Sequence, residues 1–193
     1  MKRQVEANLP IPEGPFKLLA YADDAEERMP DLILVHEEMD VSKPVLLRIH
    51  SECMTGDVFG SMRCDCGPQL EEALRLAAKE KGAVIYLRQE GRGIGLINKL
   101  KAYNLQTNGM DTLDANLHLG FEADQRQYDT AIFILRDLGI RQIRLLTNNP
   151  EKVKAFDSID DLTVVERVPL FTGYQELNRN YLETKKKKMG HLF

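Results

Sequence analysis

The chain is short of the features that mark secreted, membrane-spanning or nucleic-acid-coating proteins. It has three cysteines in 193 residues, an odd number that cannot all pair as disulfides. The stretch from Met1 to Pro12 carries Lys2 and Arg3 but no apolar core of the length a secretory signal needs, and no later apolar run is long enough to cross a bilayer. The expectation is a cytoplasmic protein with no membrane partner, whose reduced thiols serve metal binding or catalysis. Proline-rich and serine-rich tracts, internal repeats and linker-like segments are also missing, so neither a disordered tail nor a second domain is indicated. Nor is there a basic excess. The 26 Lys and Arg face 30 Asp and Glu, for a net charge of -4, which argues against a broad grip on nucleic-acid backbones but leaves room for a small arginine pocket around a compact anion.

What is present reads as one folded domain over residues 1–193, with 43% hydrophobic and 29% charged residues. Apolar runs at Phe16 to Tyr21, Leu32 to Val35, Val45 to Ile49, Ala83 to Leu87, Ile143 to Leu146 and Leu162 to Val168 predict strands. Leu70, Ala73, Leu74, Ala77 and Ala78 share a helical face after Pro68, and Tyr128, Ala131, Ile132 and Leu135 share another before Gly139. A third helix is expected from about Ile94 past Tyr103, and Asn149 with Pro150 reads as a cap and first turn. The fold class is α/β, a mixed sheet with packed helices. The four-lysine run Lys185 to Lys188 reads as a solvated helix end without chemistry.

In HSECMTGDVFGSMRCDCG the cysteines fall at Cys53, Cys64 and Cys66, spaced C-x10-C-x-C. Three thiolates suit zinc, and a three-ligand site leaves the fourth tetrahedral position for a water that the metal activates at neutral pH. His50, three residues before Cys53, offers the alternative of a closed structural site. Spacing alone leaves both readings open. A third reading, cysteines as small core hydrophobes, suits the pattern poorly because Arg63, Asp65 and Gly67 interleave the second and third.

After the strand ending near Leu87 comes RQEGRGIGL, with Gly91, Gly93 and Gly95 at the start of a helix and Arg88 and Arg92 beside them. Such a turn lets backbone amides approach an anion, although the spacing matches neither the dinucleotide fingerprint nor a P-loop. RIHSE, Arg48 to Glu52, ends another predicted strand, and Thr147 with Lys152 occupies a third strand-to-helix junction. Each alone is explained by a tight turn, a cap or a surface lysine. Three together at strand ends, where α/β sheets collect ligands, point to one anion site.

RIHSEC, RCDCGPQLEEAL, RQEGRGIGLINKLKAY, GFEADQRQYD, LLTNNPEKV and KKMGHLF, in this order over about 48–193, closely resemble the GTP cyclohydrolase II family of riboflavin biosynthesis. The resemblance implies hydrolysis of GTP with opening of the guanine imidazole ring, release of formate and pyrophosphate, and a diaminopyrimidine ribosyl phosphate as product. It implies one zinc per chain on Cys53, Cys64 and Cys66, which removes the need for His50 to close the site, and Mg²⁺ with the triphosphate. The GTP contacts it implies are Arg48, Ile49, His50, Ser51, Glu52, Gln69, Glu90, Gly91, Arg92, Thr112, Thr147 and Lys152. Asp124 matches the family's proton acceptor, Arg126 the residue proposed to attack the α-phosphorus, and Tyr103 a tyrosine associated with ring opening. Because a guanidinium stays protonated, with a pKa above about 12, Arg126 ranks first as a charge clamp on the phosphate. Gln69 and Glu90 are the candidate readers of the guanine edge. Pro68 departs from the pattern, where an aromatic residue is common. The resemblance further implies a homodimer and, without a dihydroxybutanone phosphate synthase segment, the stand-alone form. The competing readings are a family member that stops at the ring-opened formamide, a zinc-containing nucleotide-binding module without turnover, and a nucleic-acid-binding zinc module, which the acidic balance opposes.

Overall fold

The computed structural model describes residues 1–122 and 124–192, without the side chains of Thr112 and Asn180. The strands are β1 (Lys2–Ile11), β2 (Gly14–Ala22), β3 (Asp31–His36), β4 (Val45–Ser51), β5 (Ala83–Leu87), β6 (Gln142–Leu146) and β7 (Thr163–Val168). They form one seven-stranded sheet in the order β1-β2-β3-β5-β4-β6-β7. The β1-β2-β3-β5 flank is antiparallel, whereas β5, β4, β6 and β7 run parallel. The expected mixed α/β sheet is therefore present, and all six predicted strands belong to it.

The helices are α1 (Met54–Asp57), α2 (Cys66–Glu80), α3 (Gly95–Thr107), α4 (Thr112–His118), α5 (Asp129–Asp137), α6 (Pro150–Lys154) and α7 (Arg179–Lys188). The two amphipathic helices read from the sequence cover opposite faces of the sheet. Ala131, Ile132, Ile134 and Leu135 of α5 pack with Val45, Leu47, Ile49, Ile85 and Leu145 on one side. Ala73 and Ala77 of α2 pack with Leu46, Val84 and Leu146 on the other. The small alanines let α2 lie close, and at its end Gly82 is required because a Cβ there would stand 2.3 Å from the Leu46 carbonyl oxygen.

Three elements were not expected. β1 has a largely exposed, polar sequence with a register shift between Arg3 and Val5, so it lacks the alternation that announces a half-buried strand. α1 is a single turn, and α4 is held by Asp111, whose side chain accepts from the amides of Leu113 and Asp114. The helix end expected at the lysine run is α7, where Lys186, Lys187 and Lys188 are exposed as read and Lys185 alone is buried, which corrects the reading at that residue.

Candidate active site

The parallel strands β4, β5 and β6 end side by side, and the segments leaving them converge on one cavity of about 1070 Å³ including its open mouth. This is the edge at which an α/β sheet binds ligands. Period-two alternation decides which β4 residues reach it. Val45, Leu47 and Ile49 go to the α5 side, so Arg48 and His50 share the other face with Leu46, and both line the cavity.

Directly after β4 comes Cys53, and α2 opens on Cys66 with Cys64 just before it. Their sulfurs all lie within 4.8 Å of one another, with Cys53 and Cys64 3.7 Å apart. Two glycines permit this. A Cβ on Gly56 would stand 2.9 Å from the Cys64 sulfur, and one on Gly67 would stand 2.4 Å from the Gly56 carbonyl oxygen. The ammonium of Lys99 donates to the Cys53 sulfur at 3.0 Å and to the Glu90 carboxylate at 2.8 Å. Hydrogen bonds from the other two thiols, then the Lys99 charge, hold Cys53 far below the ordinary thiol range. The same bond pushes the Cys64 thiol up to about 11 and Cys66 well above its usual value. Three convergent sulfurs with one already stabilised as thiolate are the donor set of a three-cysteine zinc centre, so the residues fit this metal.

His50 has another task. Its Nε2 lies 3.1 Å from both carboxylate oxygens of Asp57, and its ring stacks on Tyr86 at 5.5 Å. The Asp57 carboxylate also accepts from the Cys53 amide and the Tyr86 hydroxyl, each at 2.9 Å. Burial lowers the pKa of His50 against the pull of Asp57. The metal-competent cluster among the described residues contains the three cysteines without His50.

The same cavity is lined by cations. Arg48 is buried, bonding the Leu146 carbonyl at 2.9 Å and Gln69 at 2.5 Å, and burial brings its pKa down to about 10. Lys152 donates to the Ile49 carbonyl at 2.6 Å, and its pKa falls well below the ordinary value through burial and then the nearby charges of Arg48, Arg126 and Lys185. Arg126 opposes the trend: it is partly buried, and its fork on Asp124, with Nε 2.8 Å from Oδ1, keeps it firmly protonated. Arg92 sits at a left-handed φ of 65° between two glycines, and both terminal guanidinium nitrogens are buried without a hydrogen-bond partner. Beside the thiols, the Tyr103 hydroxyl lies 3.3 Å from the Thr55 hydroxyl, and burial raises its pKa so that it stays a neutral phenol.

Residues 2–169 match the family described as GTP cyclohydrolase II. The chain belongs to the GTP cyclohydrolase II family. It is 51% identical over 193 residues to the riboflavin biosynthesis protein RibBA of Chlorobium phaeovibrioides, covering 100% of this chain and 47% of that one. It is 52% identical over 191 residues to the RibBA of Bacillus cereus, covering 98% and 48%. The chain therefore spans about half the length of these relatives. Among solved structures, the two-domain 3,4-dihydroxy-2-butanone 4-phosphate synthase RibBX of A. baumannii aligns at a TM-score of 0.49 and 16% identity, over 89% of this chain and 40% of that one.

For this GTP cyclohydrolase II family member, the structure gathers Arg48, His50, Ser51, Glu52, Gln69, Glu90, Gly91, Arg92, Thr147, Lys152, Tyr103 and Arg126 around the cavity with the three cysteines. Asp124 reaches it through Arg126. Ile49 is the exception: its side chain is fully buried in the α5-side core, and its carbonyl is taken by Lys152. The Thr112 side chain lies outside the described residues. The two candidate guanine readers are already engaged, Glu90 by Lys99 and the Met54 amide at 2.7 Å, Gln69 by Arg48 and Asp65. Sequence reasoning missed Asp57, Lys99, Tyr181 and Lys185. Lys99 had a signal, since it lies one helical turn before Tyr103 on the same face of α3; Tyr181 and Lys185 had only the same spacing in a polar helix.

Proposed function

We propose that the chain hydrolyses GTP, opening the imidazole ring of guanine and releasing formate and pyrophosphate, as a step of riboflavin biosynthesis. The observation that carries this reading is the meeting in one cavity of a three-thiol cluster and a set of basic side chains, with the neutral phenol of Tyr103 beside the thiols. Cys53, Cys64 and Cys66 would hold one zinc per chain, which when bound supplies Lewis acidity and an activated water at neutral pH.

The chain's own residues account for the rest. Lys99, fixed between Glu90 and Cys53, orients the first thiolate and offsets its charge. Tyr103, kept protonated by burial, is a donor for the imidazole nitrogen that gains a proton as the ring opens. Arg126, held protonated by Asp124, is a poor nucleophile in that state; its planar fork serves instead as a clamp on phosphate oxygens during loss of pyrophosphate, with Mg²⁺ accompanying the triphosphate. Asp124 fixes the direction of that fork and keeps its charge. Arg92 brings two buried donors that have no partner of their own. Location in the cytoplasm, assembly as a homodimer and independence from nucleic acid complete the reading; no described helix is long and apolar enough to cross a membrane.

The test is incubation of the zinc-loaded chain with GTP and Mg²⁺, with assays for formate and pyrophosphate and the mass of the organic product. Formate and pyrophosphate in equal amounts, with a product lacking both, support the reading. A product that retains the formyl group would favour the formamide-forming alternative, and unchanged GTP would favour a binding module.

A further inference from the structure

Residues beyond 169 follow the stretch that matches the family description, the alignment with the Chlorobium relative continues through them, and they close one side of the cavity. Tyr181 and Lys185 of α7 both line it. The helix is fastened at both ends to the loops that build the site. Before it, the fully buried Asn178 donates to the Gly173 carbonyl at 2.7 Å and to the Cys64 carbonyl at 3.4 Å. After it, the chain returns so that the Leu192 amide donates to the Asn148 carbonyl at 2.9 Å, in the turn between β6 and α6. One anchor thus sits on the cysteine loop and the other beside Thr147 and Lys152.

Lys185 is buried with its ammonium 2.7 Å from Asp65, whose carboxylate is 1% exposed between two of the cysteines. The same carboxylate accepts from Gln69, and Gln69 accepts from Arg48, so α7 is tied to β4 by a continuous chain of hydrogen bonds. The Lys185 charge is felt further. The side chain lines the same cavity as Arg48, Arg126 and Lys152, and its charge is among those that, after burial, lower the Lys152 pKa. Six basic side chains, Arg48, Arg92, Lys99, Arg126, Lys152 and Lys185, line the cavity; Glu90, Asp124 and Asp65 pair with Lys99, Arg126 and Lys185, which leaves Arg48, Arg92 and Lys152 without a carboxylate within 4 Å among the described residues. Basic groups gathered in one cavity without enough carboxylates to pair them are matched best by a compact polyanion with several oxygens, which Lys152 would meet by taking up a proton.

We propose that Lys185 is a triphosphate-binding residue of this site, carried in by a C-terminal helix that packs over the phosphates of the substrate. The inference rests on the GTP reading above and extends it to a C-terminal helix none of whose residues is among the GTP contacts that the resemblance implies. Lys185 shares its charge between Asp65 and the phosphate oxygens, and Tyr181, whose ring lies 4.4 Å from the Lys185 ammonium, holds the side chain at the cavity wall.

The experiment compares binding of inorganic triphosphate, guanosine and GTP by calorimetry to the wild-type chain and to Lys185→Met, Lys185→Arg and Lys187→Met. Lys187 is the control, an exposed neighbour in the same run paired with Glu183. The expected result is triphosphate affinity about tenfold or more weaker in Lys185→Met, the size of a charge-assisted contact. Guanosine affinity should be unchanged, Lys185→Arg should recover most of the loss, and Lys187→Met should bind as wild type. Triphosphate affinity within twofold of wild type in Lys185→Met overturns the proposal, as does an equal loss for guanosine and triphosphate, which would make Lys185 a positioning residue acting through Asp65. Should Lys185→Met fail to fold, hydrogen exchange on the wild-type chain decides: triphosphate, but not guanosine, should slow exchange across 179–188, and unaltered exchange there refutes the idea. A wild-type chain that binds neither GTP nor triphosphate sinks the GTP reading itself, a result distinct from the failure of Lys185 alone.

Discussion

Gly56 lies so close beneath Cys64 that a Cβ added to it would stand 2.9 Å from the sulfur, with the Cys53 sulfur at 3.1 Å. The glycine leaves room for the thiols to converge. Gly56→Ala keeps every cysteine but forces the cluster apart, so zinc affinity should fall by about ten- to a hundredfold, the range typical of changes around a metal's ligands. Competition against a chromophoric chelator, with a thiol titration to confirm three cysteines, measures this. Wild-type affinity in Gly56→Ala would show that the cluster is not the metal site.

The two kinds of group in the cavity predict separable damage. Cys64→Ser should abolish formate release while keeping the fold, because the sheet core is built without that thiol. Some pyrophosphate release should survive, since the arginines are untouched. Arg126→Ala should lower pyrophosphate release by a factor of about a hundred or more, and Arg126→Lys should restore little, because one ammonium cannot reproduce a planar fork. Both products followed together in the folded variants test this, and full pyrophosphate release by Arg126→Ala would refute the clamp.

Asp124 predicts a pH effect on stability. Burial pushes its carboxyl up, but the bonds and charge of Arg126 outweigh this and hold it below the usual 3.8. A carboxyl lowered in the folded state contributes stability that is complete above the unfolded pKa and is lost as pH falls through the folded one. Urea unfolding of wild type and Asp124→Asn should therefore differ by a constant amount from neutral pH down to about pH 4 and converge in stronger acid. A gap that persists in acid would assign the effect to packing instead of charge.

Lys152 predicts proton uptake. Its pKa is depressed by burial and by Arg48, Arg126 and Lys185, and a polyanion brought among these groups raises it again. Triphosphate binding at a pH between the two values must draw a proton from solution. Calorimetry in buffers of different ionisation enthalpy should show this uptake in wild type and its loss in Lys152→Met. Equal uptake in both proteins would place the titrating group elsewhere.

The sequence made the central strands legible because β4 and β5 are mostly apolar runs buried on both faces and β6 buries Ile143, Leu145 and Leu146, and it made α2 and α5 legible through their alanine and leucine stripes. It gave no sign of β1, which is held by pairing with β2 and buries little. The cysteines and the residues at strand ends could be named because their types are uncommon in such places. Lys185 could not, since a lysine in a polar run is ordinarily solvated, and only the return of the tail onto Asn148 and the approach of Asp65 bury it. Ile49 shows the opposite error: a run of contact residues read along a strand includes positions that alternation turns away.

The central position of β4 also governs how the molecule is made. Its Leu47 pairs with Ala83 on one side and with Leu145 on the other, so neither neighbour is local in the chain and one arrives much later than the other. During synthesis the strand waits with an open hydrogen-bonding edge until β6 has left the ribosome, an interval in which it can pair with a second nascent chain. Folding dominated by such distant partners is slow. The yield of soluble protein should therefore respond to translation speed across the stretch between β5 and β6 more than to any change in the finished sheet.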